Sequence, residues 1–145
     1  MIITYVQDDG TELRVSTDDL SAIESADIEE AVGDVPWRAI EDRLRSQDPT
    51  CMRAVLWAVR KRTEPGLKFS DYDVPGWRRR LKARLERAEM DEVLSNILAE
   101  ALAKSEDSAI DAMVPHMRKL AHDPADVSAA LEAVGKGHLD PARRD

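Results

Sequence analysis

From residue 17 to Gly135 the apolar side chains recur three and four positions apart, and proline or glycine closes one run after another. A helix needs that period to turn one apolar face toward a core, so the pattern restricts the chain to a mainly helical body. Leu20 and Ile23 open the first inward stripe, Ile28, Ala31 and Val32 continue it, and Gly33 stops it; Thr17 or Asp18 is the expected cap. Asp34 is expected to cap a second helix, with Pro36 in its first turn and Trp37, Ile40 and Leu44 inside. Asp48-Pro49 starts a third in the same way. Its stripe is Met52, Val55, Leu56 and Val59, its other face carries Arg53, Arg60 and Lys61, and Pro65-Gly66 breaks it.

Beyond that break, Ser70 three residues ahead of Asp73 predicts a short capped turn, ended by Pro75-Gly76. Trp77, Leu81, Leu85 and Ala88 then predict a helix wrapped by Arg78, Arg79, Arg80, Lys82, Arg84 and Arg87. The run "DEVLSNILAEALAK" continues or restarts it, with Val93, Leu94, Ile97, Leu98, Ala101 and Leu102 on one face. Another helix carries Ile110, Met113, Val114, Met117 and Leu120, with Pro115 as a kink or near its start. The last runs from Pro124 through Val127, Leu131 and Val134 to Gly135.

Only the first residues break the helical period. Ile2 to Val6 and Glu12 to Val15 alternate around Asp8-Asp9-Gly10, and Asp-Gly between β-formers predicts a hairpin because glycine accepts positive φ cheaply. A lone hairpin is marginal and needs helices to pack on. The expected fold is therefore mainly α, a small helical domain with a short N-terminal β-hairpin. The hairpin spans 1–16, the helical domain 17–135, and 136–145 is a loose tail without apolar period.

Aromatic residues make up 4% of the chain against 43% hydrophobic, so aliphatic side chains must fill the core. No apolar run approaches the length of a membrane span, and no signal-like segment opens the chain, which points to a cytoplasmic protein with no membrane partner. A single cysteine, Cys51, excludes an internal disulfide and a multi-cysteine metal site. The net charge of −8 opposes non-specific attraction to nucleic acid or anionic lipid. That charge is unevenly spread. Residues 1–52 hold 13 acids and 4 bases, residues 53–87 hold 4 acids and 11 bases, and residues 88–145 hold 12 acids and 6 bases. A basic middle between acidic flanks either marks a nucleic-acid surface or lets the segments attract one another on folding, and the second is favoured.

No constellation for catalysis emerges. His116, His122 and His138 lack metal spacing with one another, and Asp123 beside His122 is better spent capping the helix after Pro124. Cys51 reads as a small, half-buried residue rather than a nucleophile. Gly135-Lys136 lacks the upstream glycine and the following hydroxyl of a phosphate loop. No catalytic, cofactor-binding or metal-binding residue is therefore assigned. The helix over 78–87 carries enough cations for phosphate contact, but its apolar stripe makes them mostly a solvated face, and nucleic-acid binding is disfavoured.

An ordered set of short motifs carries a resemblance. "AIE" at 22–24, "GDVPW" at 33–37, "LRSQDP" at 44–49 and "RAVLWAVRKRTEPGLKFSDYD" at 53–73 follow one another with the hairpin ahead of them. Together they resemble the tail assembly chaperones of long-tailed bacteriophages, especially those of actinobacterial hosts. The resemblance implies a non-enzymatic protein of the host bacterial cytoplasm, absent from the mature virion. It implies binding to the tape-measure protein, a very long helical chain kept soluble until tube subunits polymerise around it. Leu56, Trp57, Phe69, Tyr72 and Trp77 are the candidate partner-binding residues, although periodicity favours a core role for Leu56 and Trp77. Such chaperones often exist in two lengths through a −1 ribosomal frameshift, and Val134-Gly135-Lys136 permits a slippery codon set. A longer frameshift product is thus a second expected partner, and self-association stays open. A small adaptor contacting nucleic acid through residues 78–87 is the alternative.

Overall fold

A computed structural model of the chain describes residues 1–104 and 108–139, with side-chain surroundings described for 1–100 and 112–133. The protein is mainly α-helical, with one small three-stranded antiparallel sheet. It forms two compact units that meet in sequence at Arg84 and Leu85. This differs from the expected hairpin appended to a single helical domain over 17–135.

In the first unit, β1 (Ile2–Val6) and β2 (Glu12–Ser16) form the expected hairpin, with Ile3 opposite Val15 and Tyr5 opposite Leu13. Gly10, at φ 85°, donates its N–H to the Gln7 carbonyl and closes the turn. A third strand, β3 (Leu81–Arg84), pairs with the other edge of β1 in the order β2-β1-β3. The helix predicted over Trp77 to Ala88 is therefore corrected. Only α4 (Trp77–Arg80) is helical, entered through Gly76 at φ 69°. The reason is a second period in the same residues: Leu81, Ala83 and Leu85 alternate with Lys82 and Arg84, and the first two point into the core. A helix would leave one edge of β1 without partners, and a third strand relieves the instability of a bare hairpin.

Thr17–Asp19 is a 3₁₀ turn, and α1 (Ala22–Ala31) starts after Ser21, not after Thr17 or Asp18. Ser21 and Glu24 form a reciprocal capping box, at 3.1 Å from the Glu24 N–H to the Ser21 hydroxyl and 2.9 Å from the Ser21 N–H to the Glu24 carboxylate. Ile28 is fully buried, but Ile23, expected to face inward, is 75% exposed. Helix α2 (Trp37–Arg45) begins at Pro36; Asp34 sits in the left-handed region at φ 57° and does not cap it. Helix α3 (Pro49–Arg60) is capped as expected by Asp48, which accepts from the N–H groups of Thr50 (2.8 Å) and Cys51 (3.3 Å).

Helix α3 is the hub of this unit. Cys51, Met52 and Ala54 to Ala58 are all buried, because α1, α2 and the sheet pack around it. Ile40 and Leu44 of α2, Ile3 of β1 and Leu81 of β3 join it in the core. Gln47, at φ 61°, turns its side-chain amide onto β3. Its Oε1 accepts from Ala83 N–H at 3.0 Å and its Nε2 donates to the Ala83 carbonyl at 2.9 Å.

The second unit contains α5 (Arg87–Lys104), α6 (Ser108–Leu120) and α7 (Ala125–Leu139). Met90 and Leu94 of α5, Met117 of α6 and Val127 and Ala130 of α7 are buried. Leu85 bridges Ala121 in parallel fashion: it donates to the Leu120 carbonyl at 2.8 Å and accepts from His122 N–H at 2.9 Å. Pro115 lies inside α6, past its start. Asp123 accepts from Ala125 N–H at 3.0 Å, the expected cap of α7. That helix does not stop at Gly135 but continues to Leu139, so part of the tail expected to be loose from 136 is helical. The predicted inward side chains of Ala101, Leu102, Ile110 and Val134, and the tail from 140, lie outside what the structure describes.

Candidate functional site

The stretch 53–73 folds as a braced corner at the end of α3. Arg53, on the second turn of that helix, reaches past it and donates from Nη1 to the carbonyls of Phe69 (2.7 Å) and Tyr72 (2.6 Å). Its guanidinium also lies 3.8 Å from the Phe69 ring centroid. Trp57 donates from its indole to the Leu67 carbonyl at 3.0 Å and meets Phe69 edge-on, with ring centroids 5.3 Å apart. Lys61 covers the outer face of Trp57 at 4.0 Å. A loop after Pro65-Gly66 is thus held to the helix by side chains that donate to its carbonyls. Phe69–Asp71 forms a 3₁₀ turn with no side-chain cap, so the Ser70–Asp73 capping arrangement does not form.

The basic cluster that ends α3 is neutralised residue by residue. Arg60 pairs with Glu64 at 2.6 Å, Lys61 with Asp27 at 2.7 Å, and Arg62 with Glu24 at 2.6 Å. The Arg62 guanidinium, helped by the Ser21 backbone, holds the Glu24 carboxyl down to about 2. Arg80 likewise pairs with Asp8 at the hairpin tip. Three of these contacts join the acidic first segment to the basic middle, the mutual attraction expected from the charge pattern.

Between the hairpin tip and the corner lies an open cleft of about 640 Å³. Tyr5, Leu13, Leu67, Tyr72 and Pro75 give it aromatic and aliphatic walls, and Asp8, Asp9, Glu64, Asp71 and Asp73 give it five carboxylates. Tyr5 donates its hydroxyl to the Pro75 carbonyl at 2.7 Å, which fixes the wall where sheet and corner meet. Burial raises the Tyr72 hydroxyl above the ordinary tyrosine value, so it stays protonated at neutral pH.

Of the five residues proposed from sequence, the structure brings only Tyr72 to this cleft. Leu56 (3% exposed) and Trp57 (7% exposed) belong to the core and present no surface. Phe69, half-buried, is occupied by Arg53 and Trp57. Trp77, also half-buried, lies beneath Arg78 at 5.3 Å and does not line the cleft. The residues missed are Tyr5, Leu13, Leu67, Asp71 and Asp73. Their sequence signals existed, in the turn acids of "QDDG" and in the alternating acids of "FSDYD", but nothing local says that two loops over fifty residues apart face one another.

The basic helix expected over 78–87 does not exist as a surface. Arg78 and Arg79 are exposed on α4, Arg80 is paired, and Lys82 and Arg84 lie in β3. Arg84 donates to the Ala83 carbonyl at 2.9 Å, and Arg87 pairs with Asp91 at 3.0 Å within α5. Cys51, read from sequence as half-buried, is fully buried, and that burial pushes its thiol up, away from nucleophilic use. Among the described residues no three histidine, cysteine or carboxylate side chains converge to hold a metal ion, and no helix is long and apolar enough to cross a membrane.

No family model matches the chain, and neither a curated protein nor a solved structure matches it.

Proposed function

We propose that this chain is a tail assembly chaperone of a long-tailed bacteriophage, acting without catalysis by binding the tape-measure protein and keeping it soluble during tail morphogenesis. The observation that carries the reading is the corner. The longest motif of the resemblance, 53–73, is a cooperative unit whose internal residues Arg53, Trp57 and Phe69 brace one another, while Leu67, Asp71, Tyr72 and Asp73 are turned to an open cleft. A motif that merely filled a core would have no reason to end in that acidic, partly aromatic rim. A long helical protein without its tube exposes apolar surface and aggregates, and an acidic partner both covers that surface and keeps the complex dispersed. The same reading puts the protein in the host cytoplasm and leaves it out of the finished virion. It also carries a longer frameshift product diverging near Lys136.

The nucleic-acid alternative has no observation in its favour, because its cations are divided among a short helix, a strand and ion pairs. The test is an affinity pull-down of N-terminally tagged protein from infected cells late in infection, read by mass spectrometry. A very long helical phage protein, together with a longer form sharing this N-terminus, is the expected recovery. Nucleic acid and its usual binders, without a tape-measure candidate, would overturn the chaperone in favour of an adaptor.

A further inference from the structure

We propose that the cleft between the hairpin tip and the corner docks a lysine- or arginine-bearing segment of a protein partner. Its walls and its charges point to the same occupant. Both cations beside it are already committed, Arg60 to Glu64 and Arg80 to Asp8. Asp9, Asp71 and Asp73 are not: among the described residues none of them meets a cation. Asp9 is held by Thr11, Asp73 accepts only from the N–H of the next residue at 2.8 Å, and Asp71 has no side-chain bond. Once the pairs cancel, three carboxylates remain around a space of about 640 Å³.

Asp9 stands on the hairpin turn and Asp71 and Asp73 on the loop of the corner, and they do not converge as a metal ion requires. A dispersed negative rim suits charges spaced along a peptide better than one point cation. The walls suit the rest of such a side chain. Leu67 and the ring of Tyr72, both half-buried, offer surface for the methylene stem of lysine or arginine while the cationic head reaches the rim. A cation over a tyrosine face is itself attractive. The Tyr72 hydroxyl, with no protein hydrogen bond among the described residues, remains able to accept from the incoming ammonium or guanidinium. The inference rests on the chaperone reading only for the partner's identity; the chemistry of the occupant follows from the cleft.

The full chain is titrated against a fluorescein-labelled amphipathic Lys/Leu peptide and its Glu/Leu counterpart, by anisotropy at low and moderate salt. The Lys/Leu peptide is expected to bind and the Glu/Leu peptide not. Asp71→Asn with Asp73→Asn is expected to weaken binding about tenfold or more, whereas Glu29→Gln with Glu30→Gln, the same charge change on α1, changes it less than about twofold. Asp71 and Asp73 are exposed, and urea denaturation of each double variant checks that the fold is kept. Equal losses from both double variants would reduce the effect to general acidity and overturn the cleft. So would equal binding of the two peptides, or no binding of either. A pull-down with D71N/D73N separates the two proposals. Tape-measure protein recovered undiminished by that variant would keep the chaperone and overturn the cleft. Peptide discrimination without any tape-measure recovery would keep the cleft and overturn the chaperone.

Discussion

Arg53 shows how one side chain can decide the shape of a loop. It sits on a helix otherwise buried almost all round, and its guanidinium ties down the carbonyls of residues 69 and 72. Removing it while keeping its stem, as in Arg53→Met, leaves two carbonyls and one ring without their cation. The expected cost is about 2–3 kcal/mol in urea denaturation, with a red shift of Trp57 emission as the corner loosens. A loss below about 0.5 kcal/mol would mean the loop holds itself. Glu24 gives a residue-scale prediction in pH. Its folded value, about 2, lies below the ordinary 4.5, so unfolding takes up a proton between those values. The Glu24–Arg62 contribution is therefore complete above about pH 4.5 and lost as pH falls toward 2. Because Arg62 is largely exposed, solvent screening keeps that contribution small. Glu24→Gln should accordingly flatten the fall in stability between pH 5 and pH 2, and parallel curves for the two proteins would contradict it. Single residues of this kind were partly legible. Asp48 announced its cap because proline followed it directly, while Asp34, with two residues before Trp37, was free to take a left-handed turn instead.

At the scale of elements, β3 is where local and long-range preferences diverge. Trp77 to Arg84 satisfies a helical period and an alternating one at once, and only the vacant edge of β1 decides between them. Sequence spacing cannot register that edge, since β1 lies more than seventy residues earlier. The hairpin and α3 were legible because their signals, Asp-Gly and Asp-Pro, act between neighbours. Having formed, β3 leaves an outer edge of its own, and Gln47 closes it by imitating one residue of a further strand. Gln47→Ala should leave the Ala83 N–H bare, its carbonyl keeping only the Arg84 guanidinium, and keep the strained φ, costing about 1–3 kcal/mol. Gln47→Gly loses the same bonds but relieves the left-handed backbone, so it should be the milder substitution by about 1 kcal/mol. Both should raise light scattering on prolonged incubation, because an open strand edge invites pairing with another chain. The ordering is the decisive measurement. If alanine proved milder than glycine, backbone strain at Gln47 would not matter.

For the whole molecule, the chain's net charge of −8 conceals two different units. Residues 1–84 carry 16 acids and 14 bases, nearly balanced, and residues 85–145 carry 13 acids and 7 bases. The balance in the first unit is used internally, since Asp8, Glu24 and Asp27 meet Arg80, Arg62 and Lys61. The division escaped sequence reading because unbroken helical periodicity runs across Leu85, and the boundary follows from where β3 finds its partner. The first unit has the makings of an independent fold. Its core draws on all three strands and on α1, α2 and α3, with Ile3, Ile28, Ile40, Leu44, Met52 and Val55 fully buried. At 84 residues it stands above the size at which metals or disulfides become necessary, though near the margin of stability. A chain ending at Arg84 should therefore fold by itself, with one cooperative urea transition and the near-ultraviolet dichroism of a packed Trp57. It should also keep the Lys/Leu peptide binding of the full chain within about threefold, because every residue lining the cleft lies within it. A non-cooperative transition would show that this core needs the residues beyond it. A cooperative fragment that no longer bound the peptide would show that the cleft is not the whole of the docking surface.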